Sequence, residues 1–124
     1  METTSLYARL GGYDAIAAVT DALLARLLND PQLGVFWKGH CEDSLRRDRQ
    51  LVVNYMCAAA GGPVVYTGRD MKTSHKGLAI SVSDWEVFMQ HATAVLAQFA
   101  VPAPERDEVL TFLTGLKGDV VERT

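Results

Sequence analysis

An all-α fold is predicted for this chain of 124 residues, and three features carry that expectation. Apolar residues recur at helical spacing through most of the sequence, no period-two run extends beyond a few residues, and glycine, proline and Asn-Asp clusters separate the periodic stretches. A chain of this length is expected to form one domain over residues 1–124, burying roughly two-thirds of its unfolded surface.

The elements follow in order. Ser5 can cap a short helix that stops at Gly11-Gly12, because paired glycines offer the left-handed geometry a helix end needs. From Tyr13 to Leu28 the positions Ile16, Val19, Leu23, Leu24 and Leu27 form one apolar stripe, and Asn29-Asp30-Pro31 ends it. The stretch LGVFWKGHCED is broken by glycine and predicts a single turn plus a loop, carrying the adjacent aromatics Phe36 and Trp37. Helical spacing resumes near Asp43 with Leu45, Val52, Tyr55, Met56 and Ala59, and stops at Gly61-Gly62-Pro63. The pattern turns Asp48 or Arg49 inward, so that face is expected to border an opening. Residues 61–70, GGPVVYTGRD, have no helical period and predict an irregular connection, a kind usually tied to function in a compact domain. Met71, His75 and Leu78 then share one face of a short segment. Ser83 or Asp84 is expected to cap the next helix, whose stripe is Trp85, Phe88, Ala92, Val95, Leu96 and Phe99. After the corner at Pro102 and Pro104, Val109, Phe112, Leu113, Leu116 and Val120 make a last stripe.

Composition narrows the function. The formal charge of −3 and the scattered basic residues argue against nucleic-acid binding, which calls for a basic face. METTSLYARL lacks the basic start and apolar run of a signal peptide, and no stretch nears the roughly 20 apolar residues of a membrane span, so a cytoplasmic protein away from membranes is expected. Cys41 and Cys57 have no zinc-type spacing and are expected to be free thiols. Mild charge without an obvious exposed apolar stripe predicts a monomer.

Four long helical stripes could bury one another with no ligand at all. Against that stands the middle of the chain, where helices are short, the connection is long, and aromatics accompany a histidine on an apolar face. A large flat cofactor would replace the missing helical surface. Haem is the natural candidate: it needs one neutral imidazole, apolar walls and cations near its propionates. His75 suits the imidazole role better than the other histidines, with Arg69, Lys72 and Lys76 bracketing it. His91, between Phe88 and Val95, reads as packed or half-exposed; His40 lies in a polar loop and reads as solvated, with a swing toward a metal as the alternative.

The segments SLYARLGG (5–12), LLNDPQLGVFW (27–37), AAAGGPVVYTGRDMKTSHKGL (58–78) and VPAPERDEVL (101–110) resemble the group I truncated haemoglobins. The match runs over essentially the whole chain in order, including both glycine pairs and the YxG turn ahead of the histidine. It implies a two-over-two helical sandwich in which residues 13–28 and 43–60 oppose 83–99 and 104–122. It also implies that His75 is the proximal haem ligand and that Phe36 and Trp37 are the aromatic pair against the ring. Val52 and Met56 line the ligand side, and Phe88 matches a wall of the apolar tunnel of some members. Leu51, Tyr66, Met71, Lys72, Leu78 and Ile80 are expected to complete the haem contacts.

One departure bears on function. Many members carry a tyrosine in the second helix and a glutamine on the ligand-side helix that hold bound oxygen; the matching positions here are Leu24 and Val52, which donate nothing. Losing one such hydrogen bond costs on the order of 1–3 kcal/mol, so oxygen is expected to leave fast unless Tyr55, Gln50, Arg49 or His40 reaches in. The chain also looks slightly longer than is typical between Trp37 and Gly61. The distal pocket, around Leu24, Val52 and Tyr55, is expected to be largely apolar. Reversible binding of O2, CO or NO is therefore the expected function. Nitric oxide dioxygenase or peroxidase-like chemistry with a reductase is the alternative, and a haem-free helical interaction module the third.

Overall fold

The structure, a computed structural model, describes residues 5–123. Residues 1–4, which entered the reading of the N-terminus, and residue 124, the end of the expected domain, lie outside them. Seven α-helices occur among the described residues: α1 (Leu6–Leu10), α2 (Tyr13–Asn29), α3 (Glu42–Ala59), α4 (Met71–His75), α5 (Val82–Gln98), α6 (Ala103–Gly115) and α7 (Lys117–Val120), with a 3-10 turn at Gly34–Trp37. The all-α expectation holds, and α2 with α3 forms one layer opposite α5 with α6.

The local signals set most boundaries. Ser5 Oγ accepts from the Ala8 N–H at 3.2 Å, and α1 closes at Gly11. Asp30 ends α2, its Oδ1 receiving the N–H groups of Gln32 and Leu33 at 2.8 and 3.0 Å. Two boundaries differ from expectation. The cap of α5 is Ser81, not Ser83 or Asp84: Ser81 Oγ accepts from the Asp84 N–H at 3.0 Å while Asp84 Oδ2 accepts from the Ser81 N–H at 2.9 Å. Asp84 is thus the third helical residue of a reciprocal cap, which satisfies two end donors where a lone Asp84 cap would satisfy fewer. The last stripe is not one helix either. It breaks after Gly115, and Leu116 bonds back to the Leu113 carbonyl at 2.9 Å before α7 begins, so the apolar period continues through a bend.

Two clusters stand out among the buried side chains. Ile16, Ala17, Val53 and Cys57 knit α2 to α3; Ala92, Leu96, Val109 and Leu113 knit α5 to α6. Few side chains are wholly buried, and these include Val53, Val95 and Cys57. A core divided in this way leaves the space between the layers to something other than helix.

In the glycine pair before the long connection, Gly61 takes φ +89° and Gly62 is required by space. A Cβ on Gly62 would lie 2.3–2.8 Å from ring carbons of Tyr7, whose N–H is bonded to the Ala60 carbonyl at 2.9 Å. Gly62→Ala is expected to destabilise the fold by about 1–3 kcal/mol through overpacking, read as a lowered thermal midpoint; an unchanged midpoint would show that the Tyr7 ring gives way freely.

Candidate functional site

A cavity of about 680 Å³ lies between the two layers, within the roughly 300–1,000 Å³ range of small-molecule sites. Its walls are mostly apolar, and side chains from every helix reach it. Phe36 and Trp37 arrive on the 3-10 turn, Leu24 from α2, and Leu51, Val52, Tyr55 and Met56 from one face of α3. Across the cavity stand Met71 and His75 of α4, then Leu78 and Ile80, with Phe88 and Trp85 of α5 stacked at 5.3 Å between ring centroids.

His75 is the only histidine of α4 and the only one bound within it. Its Nδ1 lies 2.8 Å from the Met71 carbonyl and 3.0 Å from Ser74 Oγ. A carbonyl oxygen accepts only, so Nδ1 carries the proton and Nε2 keeps its lone pair, with no hydrogen bond to a described residue. That tautomer is the one a metal-ligating imidazole adopts, its far nitrogen anchored and oriented by the backbone. No group of three or more His, Cys, Asp or Glu side chains suited to a metal ion occurs among the described residues. A single imidazole over an apolar slot therefore fits an iron whose remaining ligands come from a porphyrin.

The turn before α4 is built by packing. Tyr66 OH donates to the Arg69 carbonyl at 2.5 Å, and its ring covers Gly68 so closely that a Cβ there would sit 2.3 Å from the hydroxyl oxygen. Tyr66 and Arg69 are thereby directed at the cavity. After α4 the chain is tied from the other end of the protein. Glu122 Oε1 accepts from the Gly77 and Ala79 N–H groups, both at 2.9 Å, holding Ala79 at φ +56°. These donors, Ala79 first, keep the Glu122 carboxyl below its ordinary value. Its contribution is therefore present above the ordinary carboxylate range and lost as pH falls through the lowered value. Glu122→Gln is expected to speed hemin transfer to a competing apoglobin already at neutral pH, to a rate wild type reaches only in acid. Equal rates at neutral pH would remove this role.

The structure separates the remaining candidates. Lys72 and Lys76 are exposed and do not line the cavity, whereas Arg69 does. Lys72 is accordingly the one predicted haem contact that falls outside the cavity wall. Gln50 donates to Tyr13 OH at 2.7 Å and to Asn54 Oδ1 at 2.9 Å, and Arg49 binds Asp21 at 2.7 and 3.0 Å, so both turn away from the cavity. Tyr55 does line it, packed edge-on against Tyr66 at 5.1 Å, and burial pushes its phenol upward. His40 is exposed, as its polar loop predicts, and it also borders the cavity. His91 is half-buried and structural: Nε2 lies 2.7 Å from Asp30 Oδ2, and Arg26 Nε donates to Nδ1 at 3.1 Å. This contact, ahead of the Leu33 N–H, holds the Asp30 carboxyl down. Trp85 and Asp48 are cavity residues that the sequence placed on the right helical faces without a site role; Trp85 precedes Phe88 by one turn, which was the available signal.

Two helical layers around an apolar slot, with one anchored imidazole facing it, define a globin-type haem protein. The family profile of bacterial-like globins matches residues 5–122, and the chain belongs to that family. Among its relatives, a group 1 truncated hemoglobin of Mycolicibacterium paratuberculosis is 31% identical over 119 residues, covering 96% of this chain and 85% of the relative. One from Nostoc commune is 27% identical, covering 97% and 99%. In three dimensions the chain is similar to the Fe(III) truncated hemoglobin of Tetrahymena pyriformis, with a TM-score of 0.86 at 20% identity over 95% of this chain and 98% of that one. It is equally similar to the group II truncated hemoglobin of Bacillus anthracis, with a TM-score of 0.87 at 17% identity over 100% and 96%. The fold is thus shared across groups, while the two sequence relatives named above are of group 1.

Proposed function

We propose that this protein binds haem through His75 Nε2 and reversibly takes up a diatomic gas, O2, CO or NO, on the face lined by α2 and α3. The anchored Nδ1 of His75 carries this reading, because it presents the opposite nitrogen as a free electron pair toward an apolar cavity. Haem supplies the iron that coordinates the gas. The chain's own residues do the rest: Met71 fixes the imidazole, Phe36, Trp37 and Phe88 offer flat apolar surface and exclude water, and Arg69 stands as the cation for a propionate. Leu24 and Val52 donate no hydrogen bond to the ligand side, where Tyr55 of α3 brings a phenol to the wall. A ligand that meets Leu24 and Val52 finds no donor there, which favours CO and NO relative to O2, since those ligands depend less on one.

The test is an absorbance spectrum of the reduced, hemin-reconstituted protein with and without carbon monoxide. An intense Soret band that shifts sharply on adding CO is expected. A chain that gains no such band with hemin would be a helical module without haem. No described helix is long and apolar enough to cross a membrane.

A further inference from the structure

Two polar side chains are buried among the described residues, Thr20 and Asp84, at 4% and 7% exposure. Asp84 is accounted for: its carboxylate accepts from the Ser81 N–H at 2.9 Å and from Gln32 Nε2 at 2.6 Å. Thr20 is not, because its hydroxyl makes no hydrogen bond to a described residue. A hydroxyl taken out of water and left without a partner costs stability, so a buried one calls for a partner.

A threonine inside a helix often returns its hydroxyl to the carbonyl four residues back. Thr93 and Thr114 do so here, donating to the Met89 and Leu110 carbonyls, each at 2.8 Å. Thr20 leaves the equivalent Ile16 carbonyl alone, so the hydroxyl and the second lone pair of that carbonyl are both open to a third group. The oxygen is not sealed within protein either. Thr20 stands on the wall of the large cavity, one turn after Ile16 and one turn before Leu24, which line it as well. Every other α2 residue of that wall is aliphatic, so Thr20 is the polar point of this helix face.

We infer that Thr20 is a binding point on the ligand side of the cavity for one small molecule that offers an oxygen lone pair. Two molecules have that chemistry. A water would be held between the hydroxyl and the Ile16 carbonyl, two of the 2–4 partners that a buried water takes. Dioxygen in its bound state carries partial negative charge on its outer atom and would accept from the hydroxyl. The inference rests on the haem reading of the cavity, and it gives α2 a polar contact that Leu24 does not supply.

Thr20→Val tests it, since valine keeps the branched shape and removes the hydroxyl. On the reduced, haem-loaded protein, carbon monoxide association is followed after flash photolysis and oxygen release by displacement with carbon monoxide. One neutral hydrogen bond corresponds to a factor of about two to ten. With water as the guest, Thr20→Val is expected to raise carbon monoxide association by that factor, because no held molecule has to leave. With bound oxygen as the guest, it is expected to raise oxygen release by that factor and leave carbon monoxide association unchanged. The thermal midpoint of the ferric protein separates the two again. A hydroxyl that holds water gives a midpoint that Thr20→Val leaves unchanged or lowers. One that waits for oxygen has no partner in the ferric state, so the variant gains about 2–8 °C. Both rates unchanged in Thr20→Val would overturn the inference whatever the midpoint, and a raised midpoint beside them would show a hydroxyl that is merely unsatisfied. A wild type that gains no Soret band with hemin would instead remove the haem reading beneath it.

Discussion

Replacing His75 by glycine is expected to abolish stable haem retention, with hemin loss accelerated by more than the roughly 10- to 100-fold that outer-shell changes cost at metal sites. The imidazole is the one protein ligand the cavity offers from α4, and the apolar walls alone bind a porphyrin without fixing its iron. Ser74→Ala gives the contrast. The Met71 carbonyl still orients Nδ1 at 2.8 Å, so hemin loss should change little. Adding free imidazole to His75→Gly should restore the Soret band of the reduced protein. A glycine variant that keeps hemin as wild type does would move the iron ligand elsewhere, and His40, which also lines the cavity, would be examined next.

Leu24→Tyr is expected to slow oxygen release by roughly 10- to 100-fold while leaving carbon monoxide release nearly unchanged. The size follows from one hydrogen bond to a partly charged acceptor, about 1.5–3 kcal/mol, at about 1.4 kcal/mol per factor of ten. Leu24 lies on α2 facing both the large cavity and the pocket beside it, so a phenol there is within the ligand side of the site. Stopped-flow displacement of oxygen by carbon monoxide measures the effect. An unaltered oxygen rate would mean that a wild-type group, Tyr55 or His40, already holds the ligand. It would then follow that the pocket is more polar than its helix faces suggest.

The helical layers were legible because their signals are local. Stripes such as Ile16–Leu27 and Trp85–Phe99 specify which face is buried, and Ser5 and Asp30 mark ends through hydrogen bonds that span only a few residues. Where sequence reasoning slipped, the deciding partner was reciprocal or distant. Ser81 caps α5 only together with the side chain of Asp84, which Gln32 Nε2 also holds at 2.6 Å from a loop far away in the chain. His75 was found as the candidate iron ligand by its neighbours Met71 and Leu78. Its protonated nitrogen was not, since that depends on a carbonyl placed by the geometry of a five-residue helix.

By itself, then, the order of residues determined the helix faces, the irregular connection over 61–70 and the identity of the histidine that faces the slot. Periodicity and turn chemistry act between near neighbours, and they survive without knowledge of the fold. Only the tertiary structure decided which polar side chains reach the cavity. Gln50 and Arg49 sit on the same helix as Val52, yet α2 claims them through Tyr13 and Asp21, while His40 is drawn to the wall by Asp48. Charged and amide groups take whichever partner lies within about 3 Å, and that choice is made by the packing of one helix against another.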